Sequence, residues 1–378
     1  QEQLDTGVTL KEAIGKLVPG LDLAPEGRSN YGQNMRGRNV LVMIDGVSQN
    51  SSRGLSRQFD SISPFNVERV EVLSGASALY GGGATGGIIN IVTKKGTPGP
   101  AQFETELSAT SGFNNSDDLS SRISQSVSGG TERLYGRLGI SGEQNEAFYD
   151  GKGDQVFIDN TQTDLQYNRT LDLMGSLAIK LDDEQDLDLL AQYYDSGNHG
   201  NVGIYFPNLH DKAPSNLDDA QIRSGYDTDL EPRSKRLLFN ANYHHSDVLG
   251  QDFYLQGSYR KEDNNFFPFP YYNTGKPQGS KGVYFAASRQ NFEVTSLKAL
   301  FAKQWDSLKL TYGVDLDRER FNAEQSVFDS AMSSQSGGLD LVTQSKAPRY
   351  PSYRVDGHSV YAQLDWKLTD ALTLSGGA

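Results

Sequence analysis

From about Ala101 onward the chain alternates polar and apolar residues over long stretches, and this period of two demands a sheet with two unlike faces. Between Ser359 and Leu368, residues Val360, Ala362, Leu364, Trp366 and Leu368 share one face, while Ser359, Tyr361, Gln363, Asp365 and Lys367 share the other. The same pattern recurs at Leu308-Leu310-Tyr312-Val314-Leu316 and at Leu187-Leu189-Ala191-Tyr193. Connections alternate too. Tight ones at 129–132, 182–185, 247–250, 304–306 and 369–370 interleave with long ones at 145–166, 197–232, 264–290 and 322–355. The pattern predicts about eleven strands of about 9 to 14 residues, the length needed to cross a membrane at a tilt. Soluble sandwiches use strands of about five or six residues and rarely carry loops this long. A face bearing Asp186, Asp188, Gln192, Lys309, Asp315 and Asp317 suits a wet lumen better than a dry core. The expectation is a mainly β chain whose larger part is an antiparallel transmembrane β-barrel.

Composition narrows the function. A formal charge of −13, from 35 basic and 48 acidic residues, excludes a nucleic-acid partner, because phosphate contacts need clustered Lys and Arg. The absence of cysteine removes disulfides, thiolate metal sites and Cys nucleophiles, and suits an exported bacterial protein. No signal segment opens the sequence, and no run of 18 apolar residues could form a membrane helix. There is no G-x-S-x-G or H-E-x-x-H, and Gly81-Gly82-Gly83 is not followed by Gly-Lys-Ser/Thr. Five scattered histidines form no metal site, and His244 and His245 point to opposite faces of one strand. The sequence therefore reads as no enzyme, with no cofactor and no resident metal.

Residues 1–98 follow different rules. Thr9-Leu10-Lys11-Glu12 has capping-box form, with Thr9 covering a free amide and Glu12 reaching back, ahead of a helix closed by Pro19-Gly20. Val40 to Ile44 reads as a short buried strand ending in the turn Asp45-Gly46, and Val67 to Leu73 as an alternating strand. Pro64 suits the first turn of a short helix. Five of the 40 glycines then lie between Gly81 and Gly87, directly before the strand-prone run Ile88 to Val92. Such a turn must pack very close to something.

The ordered set "NMRGRNVLVMIDGVSQN" (34–50) and "NVERVEVLSGASALYGGGATGGIINIVTKKG" (66–96), followed by the strand series, resembles the plug and barrel of TonB-dependent outer-membrane receptors. The resemblance runs the length of the chain and implies a plug domain, 1–98, inside a barrel whose N-terminal part is 99–378. Gly81, Gly82, Gly83, Gly86 and Gly87 would let the plug lie against the barrel wall, with Ile88 to Val92 as an interior strand. Within the family, "RSNYGQNMRGR" (28–38), "NSSRGLSRQFDSISPFN" (50–66), "SGFNNSDD" (111–118), "DNTQT" (159–163), "FFPFP" (266–270) and "RYPSY" (349–353) are most similar to the aerobactin-type receptors for ferric citrate-hydroxamate siderophores.

The resemblance implies a ferric siderophore as cargo, TonB with its inner-membrane energising complex as partner, outer-membrane lipid and lipopolysaccharide as surroundings, and exploitation by colicins or phages. Iron would arrive already ligated, so the protein need only recognise an anionic, partly apolar complex. Arginine suits its carboxylates and aromatic rings suit the rest. Arg36 and Tyr80 match ligand-contacting positions of hydroxamate receptors, against a plug-to-barrel ion pair for Arg36 and a packed core aromatic for Tyr80. Arg28, Tyr31, Arg38, Gln49, Asn50 and Arg53 stand in the other expected apical loops, against an ordinary solvated role. Phe267, Phe269, Tyr271, Tyr272, Arg349, Tyr350 and Tyr353 would line the vestibule or join the aromatic girdle, and the prolines among the first group favour a loop.

The chain departs from the family in three respects: no TonB box is recognisable before Leu10, about half of the family's 22 strands are present, and no closing strand with a terminal aromatic appears. It reads as a portion of a longer receptor. Competing readings are a receptor for another cargo, such as cobalamin, a catecholate siderophore or haem, and a passive porin or adhesin barrel.

Overall fold

A computed structural model describes residues 9–22, 33–53, 59, 61–75, 84–158, 165–207, 209, 219–273 and 282–378, with only the backbone at 272 and 273. The described residues up to Pro98 form a packed globule. Helix α1 (Leu10–Leu17) is capped by Thr9, whose hydroxyl accepts from the Glu12 amide at 3.2 Å, while the Glu12 carboxylate turns forward to Lys16 instead of reaching back. The short pair β1 (Leu21–Asp22) and β2 (Asn34–Met35) leads to a four-stranded sheet of β3 (Val40–Ile44), β4 (Val47–Ser48), β5 (Val67–Ser74) and β6 (Gly87–Thr93), ordered β4-β3-β6-β5. Strands β3 and β6 are buried almost throughout, as their unbroken apolar runs require. Strand β5 is different: it forms the edge of this sheet and is exposed over most of its length, so its alternation does not mark a buried face. The 3-10 turn Pro64–Asn66 carries proline at its start.

Glycine-enabled close approach occurs here in a different place from the one expected. A Cβ on Gly86 would fall 2.8 Å from the Arg38 carbonyl oxygen, and one on Gly87 2.7 Å from that of Leu73, so these two press the globule's own strands together. Gly81, Gly82 and Gly83 lie outside the described residues. The tight contact with the wall is made by Gly96, whose added Cβ would meet the Gly136 carbonyl at 2.1 Å. Asp45 and Gly46, both with positive φ, close the β3–β4 hairpin. Burial pushes the Asp45 carboxyl above the ordinary carboxylate range, and bonds from the Thr93 amide (2.9 Å) and hydroxyl (2.7 Å) partly offset this.

The wall is a meander of eleven antiparallel strands, each paired with its neighbour along the chain. It begins with β7 (Gly99–Thr110), β8 (Ser120–Gly130), β9 (Leu134–Asn145), β10 (Asn168–Lys180) and β11 (Gln185–Asn198). After the loop strands β12 (Val202–Tyr205), β13 (Gln221–Ser224) and β14 (Asp227–Thr228), it resumes with β15 (Arg233–His245) and β16 (Asp252–Asn265). The short β17 (Phe269–Asn273) pairs with β18 (Gly282–Gln304), so the proline-containing aromatic run is irregular at 266–268, as expected of a loop, and a strand from Phe269 onward. Strand β19 (Leu308–Phe328), helix α2 (Ser330–Gln335), β20 (Asp340–Leu341), β21 (Thr343–Thr369) and β22 (Leu372–Gly377) complete it.

Strands β18, β19 and β21, at 23, 21 and 27 residues, outrun the expected membrane-crossing length, because the expected loops 264–290 and 322–355 continue the ladder at both ends. Apolar residues such as Leu171, Leu173, Phe239, Leu297, Leu316, Val360 and Trp366 stand exposed on one face, as a lipid-facing band requires. The opposite face touches the globule from β9 round to β21, so the sheet curves about it and the globule occupies the bore.

The junction is both apolar and polar. Met174, Leu190 and Leu238 of the wall join Leu10, Ile14, Ile44, Phe59 and Ile89 of the globule in one core. Beside them, the buried carboxylate of Asp172 accepts from the Ser63 amide (2.7 Å), the Asn66 side chain (3.0 Å) and Gln192 (2.7 Å). Arg236 donates to the Ser61 carbonyl and, at 2.8 Å, to Gln192. Arg137 donates to Asn66 at 2.8 Å. Asp172→Leu strands these donors and is expected to lower stability by about 3–5 kcal/mol, read as a fall in the denaturant midpoint; Asp172→Asn should cost clearly less. Gly96→Ala should likewise lower the unfolding temperature, a sign that the Gly136 contact has opened; an unchanged temperature would contradict that contact.

Candidate functional site

The globule's apex follows β4. Gln49 and Asn50 do not point into solvent: the Asn50 side chain accepts from the Val42 amide (3.0 Å) and donates to the Val40 carbonyl (2.9 Å), and the Gln49 side chain donates to the Val47 carbonyl (3.0 Å). Their backbone carbonyls accept from Arg260 of β16, the Asn50 bond being 2.9 Å. Ser52 then donates to Glu319 of β19 through its amide (3.0 Å) and hydroxyl (2.6 Å), and its hydroxyl meets Tyr353 of β21 at 2.8 Å. Together these bonds hold the apical turn by its backbone and place the next side chain, Arg53, over aromatic rings.

The Arg53 guanidinium lies 4.2 Å from the Tyr350 ring centroid and 5.2 Å from that of Phe321. Its Nε is buried and has no hydrogen-bond partner. Phe321 stacks on Tyr353 (4.9 Å) and packs at 5.0 Å on Phe292, so the floor is a rigid aromatic layer. A second guanidinium, Arg349, lies 5.4 Å from the Tyr350 ring. Tyr271 adds to the aromatic surface, stacking on Tyr284 and meeting Phe269 edge-on, both at 5.5 Å. The patch offers two cations with planar donor forks above a hydrophobic floor. It has no nucleophile–base pair, and no group of three His, Asp or Glu side chains suited to a metal is found among the described residues.

The other expected site residues lie elsewhere. Arg36 and Arg38 are exposed in a turn after β2; Arg36 has positive φ, its side chain lies against Gly20, and the described residues give neither arginine a wall ion pair. Phe267 lines a small apolar space with Phe206, Tyr226 and Phe285, inside a second core formed by the loops. Arg28, Tyr31 and Tyr80, and the side chain of Tyr272, lie outside the described residues. Ser52, Arg260, Phe292, Glu319 and Phe321 were not anticipated. Extending the inward parity of Asp315 and Asp317 by two and four residues picks out Glu319 and Phe321, but Ser52 and Arg260 carry no such signal.

Family models agree with this architecture. The TonB-dependent receptor plug domain matches residues 1–88, and the TonB-dependent receptor-like β-barrel matches residues 172–378. Over its whole length the chain is 43% identical to a rhizobactin receptor of Rhizobium meliloti strain 1021, covering 50% of that protein. It is 41% and 40% identical to ferric aerobactin receptors of Klebsiella pneumoniae and Escherichia coli, covering 51% of each, so it spans about half the length of these relatives. Two solved structures share the fold at low identity. The copper transporter OprC has TM-score 0.66 at 17% identity, with 98% of this chain and 52% of that one covered. The ferric yersiniabactin uptake receptor FyuA of Yersinia pestis has TM-score 0.61 at 18% identity, with 99% and 54% covered. These proteins are receptors and transporters, not enzymes, and with a packed globule in the bore of a meander wall this chain belongs to the TonB-dependent receptor family.

Proposed function

We infer that the chain is part of an outer-membrane importer, in a Gram-negative bacterium, of a ferric citrate-hydroxamate siderophore such as ferric aerobactin. The observation that carries this reading is Arg53: its buried Nε has no hydrogen-bond partner, and its guanidinium is set over Tyr350 and Phe321 where globule and wall meet. A citrate carboxylate suits its fork and that of Arg349, and the aromatic floor suits the aliphatic arms of such a ligand. Identity of 40% or more to rhizobactin and ferric aerobactin receptors supports the same cargo class. Tyr271, Tyr350 and Tyr353 complete the contact set, while Gln49 and Asn50 act by positioning the turn. Iron is carried only as cargo.

In this reading the plug ends at 98 and the barrel begins at 99, supported by the first wall strand opening at Gly99. TonB, with its inner-membrane complex, supplies the force that shifts the plug after ligand binds. Lipopolysaccharide surrounds the outer rim. One structural neighbour, FpvAI, was solved in complex with pyocin S2 and has TM-score 0.63, which fits use of such a receptor by a bacteriocin.

Growth with a single purified siderophore as the sole iron source tests the cargo: growth on ferric aerobactin or ferric rhizobactin is expected, and growth only on catecholate siderophores, haem or cobalamin-linked media would overturn the assignment. In tyrosine and tryptophan fluorescence quenching, Arg53→Gln should weaken ferric aerobactin binding about 10- to 100-fold. Arg53→Lys should recover only part of that loss, because a point charge does not replace a planar fork. Equal affinities for wild type and Arg53→Gln would remove Arg53 from the site.

A further inference from the structure

The two sides of the plug–wall junction differ in how their buried polar atoms are satisfied. On the β9–β11 side the partners are direct, with the carboxylate of Asp172 bonded to three donors and the hydroxyls of Ser63, Ser141 and Ser124 in a chain. Among the described residues, only two inward polar atoms there, Arg137 Nη2 and Ser176 Oγ, are buried without a partner. On β15 and β16 there are eight: both polar atoms of Asn240, both carboxylate oxygens of Glu262, Nε and Nη1 of Arg236, Nε of Arg260 and Nδ2 of Asn264. The nearest cation to Glu262 is Arg260 Nη1 at 3.6 Å, beyond hydrogen-bond reach. Each such atom left dry costs about 1–3 kcal/mol, a cost that bridging water would remove.

These atoms are not scattered. The inward residues of β16 read, from the apex down, Asn264, Glu262, Arg260, Ser258, Gln256 and Tyr254; the first three carry the unpartnered atoms, while the Ser258 hydroxyl meets that of Ser296 and Gln256 donates to Asn242 at 2.8 Å. The column starts beside the aromatic floor, since Glu262 pairs with Phe292 and Phe292 with Phe321 under Arg53. It ends at a cavity of about 730 Å³, lined by Gln256, Asn242, Lys298, Asp188 and Gly46, at the end of the barrel with the tight turns.

We propose that the β16 column is a hydrated lane joining the apical patch to this lower cavity, and that the anionic cargo crosses the bore along this side. The route rests on the functional reading above; the hydration does not. Separating plug from wall costs less where water already solvates both surfaces than where Met174 and Leu190 are packed and Asp172 is bonded. Arg260 now donates to the Gln49 and Asn50 carbonyls, so a carboxylate that takes its guanidinium also releases the apical turn. The cargo thereby loosens the plug along the path it takes.

These 378 residues hold no cysteine, and any cysteine elsewhere in the intact receptor is first changed to serine, so that each introduced thiol is the only one. In the intact receptor in outer-membrane vesicles, without TonB or cargo, Ser258→Cys should react with a small charged methanethiosulfonate at least about tenfold faster than Ser141→Cys. Equal protection of the two thiols would overturn the lane. With ferric aerobactin or ferric rhizobactin, modified Ser258→Cys should keep its affinity within about twofold and lose about tenfold in TonB-driven uptake. Unchanged uptake after modification would overturn the route. If neither compound binds the unmodified receptor, the functional reading fails, while the thiol rates still decide whether the lane is wet.

Discussion

The buried carboxylate of Asp172 is the constraint around which the rest is arranged. It sits on the inner face of a strand that also faces lipid, and a lone carboxylate there would be very costly. Its donors come from both units: Ser63 and Asn66 of the plug and Gln192 of the wall. Neither unit satisfies it alone. Gln192 is in turn shared with Arg236, and Asn66 with Arg137, so a few side chains couple plug position to four adjacent strands. The wall therefore needs the plug for its inner polar groups as much as the plug needs the wall to cover Leu10, Ile14 and Ile89.

Toward the apex this coupling runs largely through the plug's main chain. Arg260 and Glu319 hold the plug there by backbone atoms of Gln49, Asn50 and Ser52. The turn beneath position 53 is thus held largely by main-chain bonds, and the Arg53 guanidinium rests over the Tyr350 and Phe321 rings. The length of β18, β19 and β21 matters here too. Their outer ends carry Phe321, Tyr350 and Tyr353 on paired strands, with register shifts between Phe321 and Glu324, so the aromatic floor stands on sheet. Above it, Phe206, Tyr226, Phe285 and Phe328 pack several loops into one core, which ties their movements together.

Much of this was legible from the chain itself. The period-2 segments and the alternation of tight and long connections determined a two-faced meander with a lipid side, because side-chain direction in a strand depends only on parity. The runs Val40 to Ile44 and Ile88 to Val92 determined the plug's buried strands, since unbroken apolar sequence leaves no solvent face, and Asp45-Gly46 determined the hairpin between β3 and β4 through its positive φ angles.

What only tertiary structure decided is which residues meet. Ser52 and Glu319 are 267 positions apart, and nothing local in either segment marks the bond between them. Asn50 looks like a solvent-facing loop residue until the neighbouring strand supplies the Val42 amide and the Val40 carbonyl to receive it. Gly86 and Gly87 signalled a close approach, but whether to the wall or to the plug's own strands depended on how the chain folds back, and it folds onto Met35, Arg38 and Leu73. Local sequence fixes which way a side chain points; the curvature of the sheet about the plug determines what it finds there.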